Sequence, residues 1–312
     1  MPKVSIIGAG NVGATAAYYL AEKNFADIVM VDVVEGMPQS KALDFSHAAP
    51  SRGYNVTIVG SNDYEAIKDS DVVVHTAGMP RKPGMDRMDL LKTNVGIAKT
   101  AAQNIKKHAP NSLVIAVANP LDVIAMVALR ETGFDSRRVV GMAGILDSTR
   151  FRYFIAEKLG VLPEAVMAMV LGGHGDTMVP LVSYTSVGGF PLRDLMDEET
   201  IEQLVQRTRK GGGEIVSYLK KGSAYYAPAA SAAKMVEALV RDEKRLVAAS
   251  AYLTGEYGYK DIFLGVPVLL GKGGVEKVYE LDLTKEEKAA LDNSAEHVAE
   301  GVKTLESIYS PG

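Results

Sequence analysis

The segment Gly8-Ala9-Gly10-Asn11-Val12-Gly13 restricts this chain more than any other. Glycines at its first, third and sixth positions could arise by chance, since 30 of the 312 residues are glycine. The setting removes most of that chance. The segment directly follows the apolar run Val4-Ser5-Ile6-Ile7, and residues 11–23 then show helical periodicity. Strand, tight glycine turn and helix in immediate succession open a βαβ unit. Further short apolar runs at 28–31, 56–59, 72–74, 113–117 and 138–141 read as strands. Amphipathic stretches at 88–108 and 121–130 separate several of them. This alternation predicts a six-stranded, doubly wound parallel sheet with helices on both faces.

In that setting each glycine has a task. Gly8 makes the turn, Gly10 lets the backbone approach a pyrophosphate, and Gly13 lets the helix pack closely on the strand. The phosphates then sit at the helix N-terminus. Ala9, Asn11 and Val12 complete the loop as candidate cofactor contacts. Asp32 ends the second strand, about 20 positions on, where a carboxylate accepts hydrogen bonds from an adenosine ribose and repels a 2′-phosphate. NAD is therefore favoured over NADP. The plainer alternatives are a glycine turn with no ligand and an aspartate that merely caps a loop. Thr76-Ala77-Gly78 and Val117-Ala118-Asn119 end later strands on the same sheet edge, and small residues there leave room for the cofactor.

The pattern changes after about residue 145. A helix is expected over 148–159, then a strand over 165–170 and the loop Gly172-Gly173-His174-Gly175. Helices over 201–219 and 229–240 and strands over 246–252, 262–270 and 275–281 follow. Thr284 and Glu287 have capping-box spacing and open a last helix with Leu291, Val298, Val302 and Leu305 on one stripe. The expected fold class is α/β: an N-terminal Rossmann doubly wound parallel sheet over 1–145, then a C-terminal α+β substrate domain over 146–312. No repeat, low-complexity segment or floppy linker is present, so the halves are expected to pack as one unit.

The net charge of −4 argues against nucleic acid or an anionic membrane as partner. With no cysteine there is no disulfide, thiolate metal site or cysteine nucleophile. No apolar run approaches the roughly 18 residues of a membrane span. Met1-Pro2-Lys3 leads straight into a strand and leaves no room for a signal peptide, so a soluble, cytoplasmic chain is expected.

Against this acidic balance, Pro80-Arg81-Lys82-Pro83-Gly84-Met85-Asp86-Arg87 concentrates three cations after a buried strand. Two prolines and a glycine keep it from extending the strand or starting a helix. A cationic loop at a strand end is where an α/β enzyme holds an anionic substrate. Of five histidines, His75 lies in an apolar run and reads as a satisfied core residue. His47, His108 and His297 fall in helical or helix-end segments, where surface or packing roles are expected. His174, flanked by glycines on a loop, is exposed and approachable, and an imidazole titrating near 6.5 suits proton exchange with a substrate alcohol. Asp147 and Arg150, three apart on a helix, share one face. They form either a weak intrahelical ion pair or a site in which Asp147 orients His174 and Arg150 grips a carboxylate by two parallel hydrogen bonds.

The segments GAGNVG, PRKPGMDR, VANP, GILDSTR, GGHGD and KGSAYYAPAAS occur in the order and spacing of the lactate/malate dehydrogenase superfamily. Over essentially its whole length the chain resembles the malate-specific members of the lactate dehydrogenase-like branch. The resemblance implies that His174 accepts the hydroxyl proton in malate oxidation, with Asp147 fixing its tautomer and stabilising the imidazolium. Arg150 would pair with the carboxylate beside the reacting carbon, Arg87 would polarise the carbonyl of oxaloacetate, and Arg81 would bind the distal carboxylate. Asn119 would bridge cofactor and substrate. Asn94, Val117 and Ala118 would join the glycine loop and Asp32 in an NAD site. No metal is implied, and a homo-oligomer, tetramer rather than dimer, is.

The superfamily's lactate enzymes typically carry glutamine where Arg81 stands. Oxaloacetate brings a second carboxylate, and a second buried negative charge needs its own partner. Ala224 stands where the bulkier threonine of lactate enzymes is expected, leaving space for the longer substrate. An L-lactate or other 2-hydroxy acid dehydrogenase is the nearest alternative. An NAD-using glycoside hydrolase would be expected to bring a metal site with cysteine ligands. A non-catalytic NAD-sensing module would need the glycine loop and Asp32 but neither His174 nor the arginines.

Overall fold

A computed structural model describes residues 1–79, 87–220 and 222–309. The expectations for Arg81 and Lys82 lie outside the described residues, as does the side chain of Arg87. The first half runs Lys3–Ile7 (β1), Asn11–Lys23 (α1), Asp27–Val31 (β2), Met37–Arg52 (α2), Ile58–Ser61 (β3), Val72–His75 (β4), Arg87–His108 (α3), Leu113–Ala116 (β5), Leu121–Thr132 (α4) and Val139–Gly141 (β6). The second opens with Gly144–Leu159 (α5) and the short strands Val166–Met167 (β7), Val170–Leu171 (β8), Val179–Pro180 (β9), Ser186–Val187 (β10) and Phe190–Pro191 (β11). Leu192–Leu195 (α6), Glu198–Leu219 (α7), Tyr226–Val240 (α8), Arg245–Thr254 (β12), Lys260–Gly271 (β13), Gly274–Val278 (β14) and Lys285–Ile308 (α9) complete the chain.

The six expected strands are all present and parallel, in the order β3-β2-β1-β4-β5-β6. Strand order reverses between β1 and β4, which places a crevice at their carboxyl ends. Inward alternation is strict: Val72 and Val74 of β4 face one core layer and Val73 the other. Small side chains of α1 and α8 (Ala16, Ala17, Ala232) cover the first face. Val95 and Ile105 of α3, Ile124 and Val127 of α4, and Val302 and Leu305 of α9 cover the second.

The sheet does not stop at six strands. β12 joins β6 antiparallel through Ser250 opposite Gly141, and β13 and β14 continue outward to make nine. The catalytic half is thus hydrogen-bonded to the cofactor half. The junction is one residue pair between positions more than a hundred apart, which no local pattern records.

Two other differences have local causes. Helix α2, expected only as a helical segment of no stated bounds around His47, carries Pro38 in its first turn and Pro50 inside its last, and only Pro38 and Ala42 are fully buried. Its core-facing stripe is completed by the partly buried Met37, Phe45, Ala48 and Ala49, and the prolines and exposed Leu43 blur that periodicity in the sequence. The expected strand over 165–170 is two strands, β7 pairing with β10 and β8 with β9. The capping box of α9 is present in both directions, and Leu291, Val298, Val302 and Leu305 are all buried.

Candidate active site

The glycine loop closes on itself. A Cβ at Gly13 would lie 1.9 Å from the Gly8 carbonyl oxygen and 2.7 Å from Thr76 Oγ1, so only glycine lets α1 start this close to β1. From the end of β4, the Thr76 hydroxyl donates to the carbonyls of Ile7 and Gly8 at 3.1 and 2.9 Å. At Gly10, by contrast, a Cβ would meet nothing within 4 Å. Gly10 caps α1 without a side-chain hydrogen bond, and the first turn holds no acidic residue. The helix N-terminus is therefore open, electropositive and free of competing carboxylates, which fits a pyrophosphate.

Asp32 is half-buried, with Oδ2 accepting from Ala9 N at 2.7 Å and Oδ1 from Val34 N at 2.9 Å. It does cap the loop, as the plainer reading had it. Each oxygen keeps a second lone pair for a ribose hydroxyl, so capping and cofactor binding are compatible. Lys41 Nζ donates to the Ala9 carbonyl at 2.6 Å and braces the loop from α2, a contact with no sequence signal because it joins positions 32 apart. The residues thus fit NAD at both the phosphate and the adenosine-ribose positions.

Asn94 of α3 is buried, and its amide is engaged within the protein. Oδ1 accepts from Met79 N at 2.8 Å, while Nδ2 donates to the carbonyls of Asn119 at 2.8 Å and Met79 at 3.3 Å. It joins the segments after β4 and β5 at the edge where the cofactor contact is expected. Val117 and Ala118 are buried behind that edge and Asn119 is exposed on it.

On the other side of the crevice, three expected residues come together. His174 Nδ1 lies 2.8 Å from Asp147 Oδ2, and Arg150 Nη1 donates to Asp147 Oδ1 at 3.2 Å. The intrahelical ion pair and the functional arrangement are therefore one structure. A buried carboxylate can only accept, so Nδ1 carries the proton and Nε2 is left as the acceptor. Burial works against a charged imidazole here, but the charge and hydrogen bond of Asp147, helped by Asp122, outweigh it and raise the His174 pKa above the usual value. Arg150 Nε is buried with no hydrogen-bond partner among the described residues, which for a guanidinium is costly until an acceptor arrives. Gly211 and Gly212 of α7 lie over it, where added Cβ atoms would come within 3.3 Å of Arg150 Cδ and 3.7 Å of Nη2.

The loop that carries His174 is held from three elements. Ser294 of α9 accepts from Gly173 N at 2.9 Å and pairs with Thr177 Oγ1 at 3.1 Å. Gly172 needs its positive φ of 86°, and a Cβ there would lie 2.6 Å from Ser294 Oγ. Asp122 of α4 accepts from His174 N at 3.4 Å and from Ser250 Oγ of β12 at 2.7 Å. None of Asp122, Ser250 and Ser294 was singled out from the sequence. Asp122 did carry a signal, being the one charge in the otherwise apolar run 121–129.

His75 corrects an expectation. It is buried at the end of β4, but its Nε2 has no partner among the described residues, so it is a core residue without being a satisfied one. Burial alone lowers its pKa to about 4.

A dinucleotide crevice facing a histidine–carboxylate pair and a waiting guanidinium defines an NAD-dependent 2-hydroxy acid dehydrogenase class of site. Residues 2–141 match the NAD-binding domain of the lactate/malate dehydrogenases and residues 145–308 their α/β C-terminal domain. The chain belongs to the lactate/malate dehydrogenase family. It is 54% identical over 309 residues to a malate dehydrogenase of Chlorobium phaeobacteroides, covering 99% of this chain and 100% of that protein. Cryptosporidium parvum supplies two comparable structures. Its malate dehydrogenase superposes with a TM-score of 0.95 at 44% identity, covering 98% of this chain and 100% of that one. Its lactate dehydrogenase, solved with lactic acid and nicotinamide adenine dinucleotide, gives 0.94 at 44%, covering 98% of each chain. The fold is shared by both activities, so the choice of substrate rests on few side chains.

Proposed function

We infer that this chain catalyses the reversible, NAD-dependent oxidation of (S)-malate to oxaloacetate. The observation that carries the reading is the chain of contacts from His174 through Asp147 to Arg150. It joins a proton acceptor whose Nε2 has no hydrogen bond among the described residues to a guanidinium whose buried Nε has none there either. Bound NAD supplies the nicotinamide that takes the hydride from the substrate carbon. In that direction His174 Nε2 takes the hydroxyl proton, and Asp147 holds the resulting imidazolium in place. Arg150 anchors the carboxylate beside the reacting carbon, Arg87 polarises the carbonyl in the reverse direction, and Arg81 pairs with the distal carboxylate. Asn119 lies between cofactor and substrate. Gly8 to Gly13, Asp32, Asn94, Val117 and Ala118 line the NAD site.

Malate is preferred over lactate because four-carbon substrates bring two carboxylates and the sequence offers a separate arginine for each. The similarity to a lactate dehydrogenase makes lactate the reading to test against. Malate-dependent NADH formation, with little turnover of lactate, is expected. His174→Ala should abolish that turnover while NADH still binds, as followed by its fluorescence. Turnover that survives in His174→Ala overturns the role of the base. NADH binding without turnover of either acid by the parent protein would leave only a sensing module.

The reading extends to a cytoplasmic homotetramer, with residues 1–145 holding NAD and 146–312 supplying the substrate groups. Exposed Leu43 on α2 and exposed Val216 and Tyr218 at the end of α7 support association between copies. Sedimentation at four times the 33.3 kDa of one chain is the expected result, and sedimentation at twice that mass would replace the tetramer by a dimer.

A further inference from the structure

Asp122 is the most unusual group near the site that the reaction does not yet use. An acid in the first turn of a helix ordinarily serves the helix dipole. The Asp122 side chain does otherwise: it is 8% exposed, and its hydrogen bonds go to Ser250 of β12, 128 positions away, and to His174 N, 52 positions away. A buried carboxylate is expensive unless something compensates it. Here the compensation is incomplete, because its two hydrogen-bond partners among the described residues are a neutral hydroxyl and a backbone amide.

The neighbouring charge is the imidazole itself. Asp147 is already paired with Arg150, which leaves Asp122 as the surplus negative charge of the described group. With His174 neutral, Asp122, Asp147 and Arg150 sum to one net negative charge. With His174 protonated, the sum is zero.

We propose that Asp122 is a positioning residue for His174, holding the backbone of the catalytic loop and supplying the second carboxylate that balances the imidazolium. The proposal rests on the assignment of His174 as the proton acceptor. Taking the hydroxyl proton turns His174 from a neutral into a cationic neighbour of Asp122, so the step that oxidises malate also compensates the buried acid. Ser250 belongs to the same device, since the hydrogen bond from its hydroxyl favours the ionised form of Asp122. Burial pushes the Asp122 pKa up, the Ser250 hydrogen bond and the charge of His174 pull it back, and Asp147 opposes them. The charges weighing most on His174 are Asp147 and Arg150 from α5 and Asp122 from α4, while α9 presents the neutral Ser294.

The test is the pH dependence of kcat/KM in both directions. Malate oxidation needs neutral His174 and rises with pH through its pKa, whereas oxaloacetate reduction needs the imidazolium and falls through the same pKa. Asp122→Asn keeps an acceptor for His174 N and a partner for Ser250 but removes the charge. Both limbs should move together to lower pH by at least about half a unit. Ser250→Ala should move them the same way by less. Asp122→Ala should in addition lower kcat, because the His174 amide loses its acceptor. Unmoved limbs in a folded Asp122→Asn protein overturn the proposal, whatever happens to kcat. If that variant does not fold, unmoved limbs in Ser250→Ala overturn it. The parent protein is the control: absence of malate turnover there would strike at the assigned reaction instead.

Discussion

Each side of the crevice holds a histidine, one buried and one partly buried, and the two sides treat it in opposite ways. His75, at the end of β4 in the cofactor half, has no carboxylate beside it among the described residues, and burial holds its pKa down to about 4. His174, in the catalytic half, is partly buried, but Asp147 and Asp122 turn the balance and raise its pKa. The same ring is thus kept neutral in one place and prepared to take a proton in the other. Desolvation is common to both, so the neighbouring acids make the difference.

Removing that difference should have the largest effect. Asp147→Asn leaves an amide where the carboxylate was, so His174 loses its main compensation and should behave more like His75. An amide can also donate to Nδ1 and favour the wrong tautomer. Malate oxidation should fall by roughly 10²–10⁴-fold in kcat, with the limb of its pH profile moved to lower pH. Steady-state kinetics across pH checks both. A loss of rate with an unmoved limb would mean that Asp147 orients the ring without setting its charge.

The next effect concerns the cationic segment Pro80 to Arg87. Arg81→Gln should lower kcat/KM for oxaloacetate far more than for pyruvate. Losing one partner of a buried charge pair costs about 2–5 kcal/mol. That is roughly 30-fold to a few thousand-fold at about 1.4 kcal/mol per decade. Equal losses on the two substrates would remove Arg81 from specificity and return the choice between malate and lactate to Ala224 and its surroundings.

The two sides also differed in how plainly they could be read. The cofactor half is built from backbone: a tight turn, a helix N-terminus and one acid, all within Gly8 to Asp32. Backbone requirements leave contiguous traces, and Gly13, with 1.9 Å between its would-be Cβ and Gly8 O, could be nothing else. The catalytic half is built from side chains that meet only after folding. His174, Asp147 and Arg150 were recognisable because each stood in a distinctive local motif. Asp122, Ser250 and Ser294 were not, because Ser250 reaches Asp122 across 128 positions and Ser294 reaches Gly173 across 121. The bounds of helix α2 were not legible for a third reason: its prolines and its largely exposed surface blur the periodicity that marks a helix.

His75 offers a test of smaller size on the cofactor side. Its folded-state pKa lies below its unfolded value, so below pH 6.5 the unfolded chain binds a proton that the folded chain refuses. The sign follows: stability is full above about 6.5 and is lost as pH falls toward about 4. At about 1.4 kcal/mol per unit the whole loss is on the order of 3 kcal/mol. His75→Val should abolish that contribution, so the variant should gain on the parent progressively between pH 6.5 and 4 in denaturant melts. A gap between the two proteins that stays constant with pH would show that His75 does not titrate on unfolding in this window.

The smallest effect separates stability from chemistry in the catalytic half. Thr284 caps α9, accepting from Glu287 N at 3.2 Å, while Glu287 returns a contact to Thr284 N and also binds Ser183. Thr284→Ala should cost about 1 kcal/mol and lower Tm by a few degrees. The cap lies about ten residues, nearly three helical turns, from Ser294, the residue of α9 that holds the His174 loop. If the buried stripe Leu291, Val298, Val302 and Leu305 keeps α9 seated, frayed ends should not reach Ser294, and kcat should stay at the parent value. A drop in kcat that tracks the drop in Tm would mean that the catalytic loop is only as firm as the end of the helix behind it. The contrast with the cofactor loop, which is fixed by its own backbone, would then be one of rigidity as well as of charge.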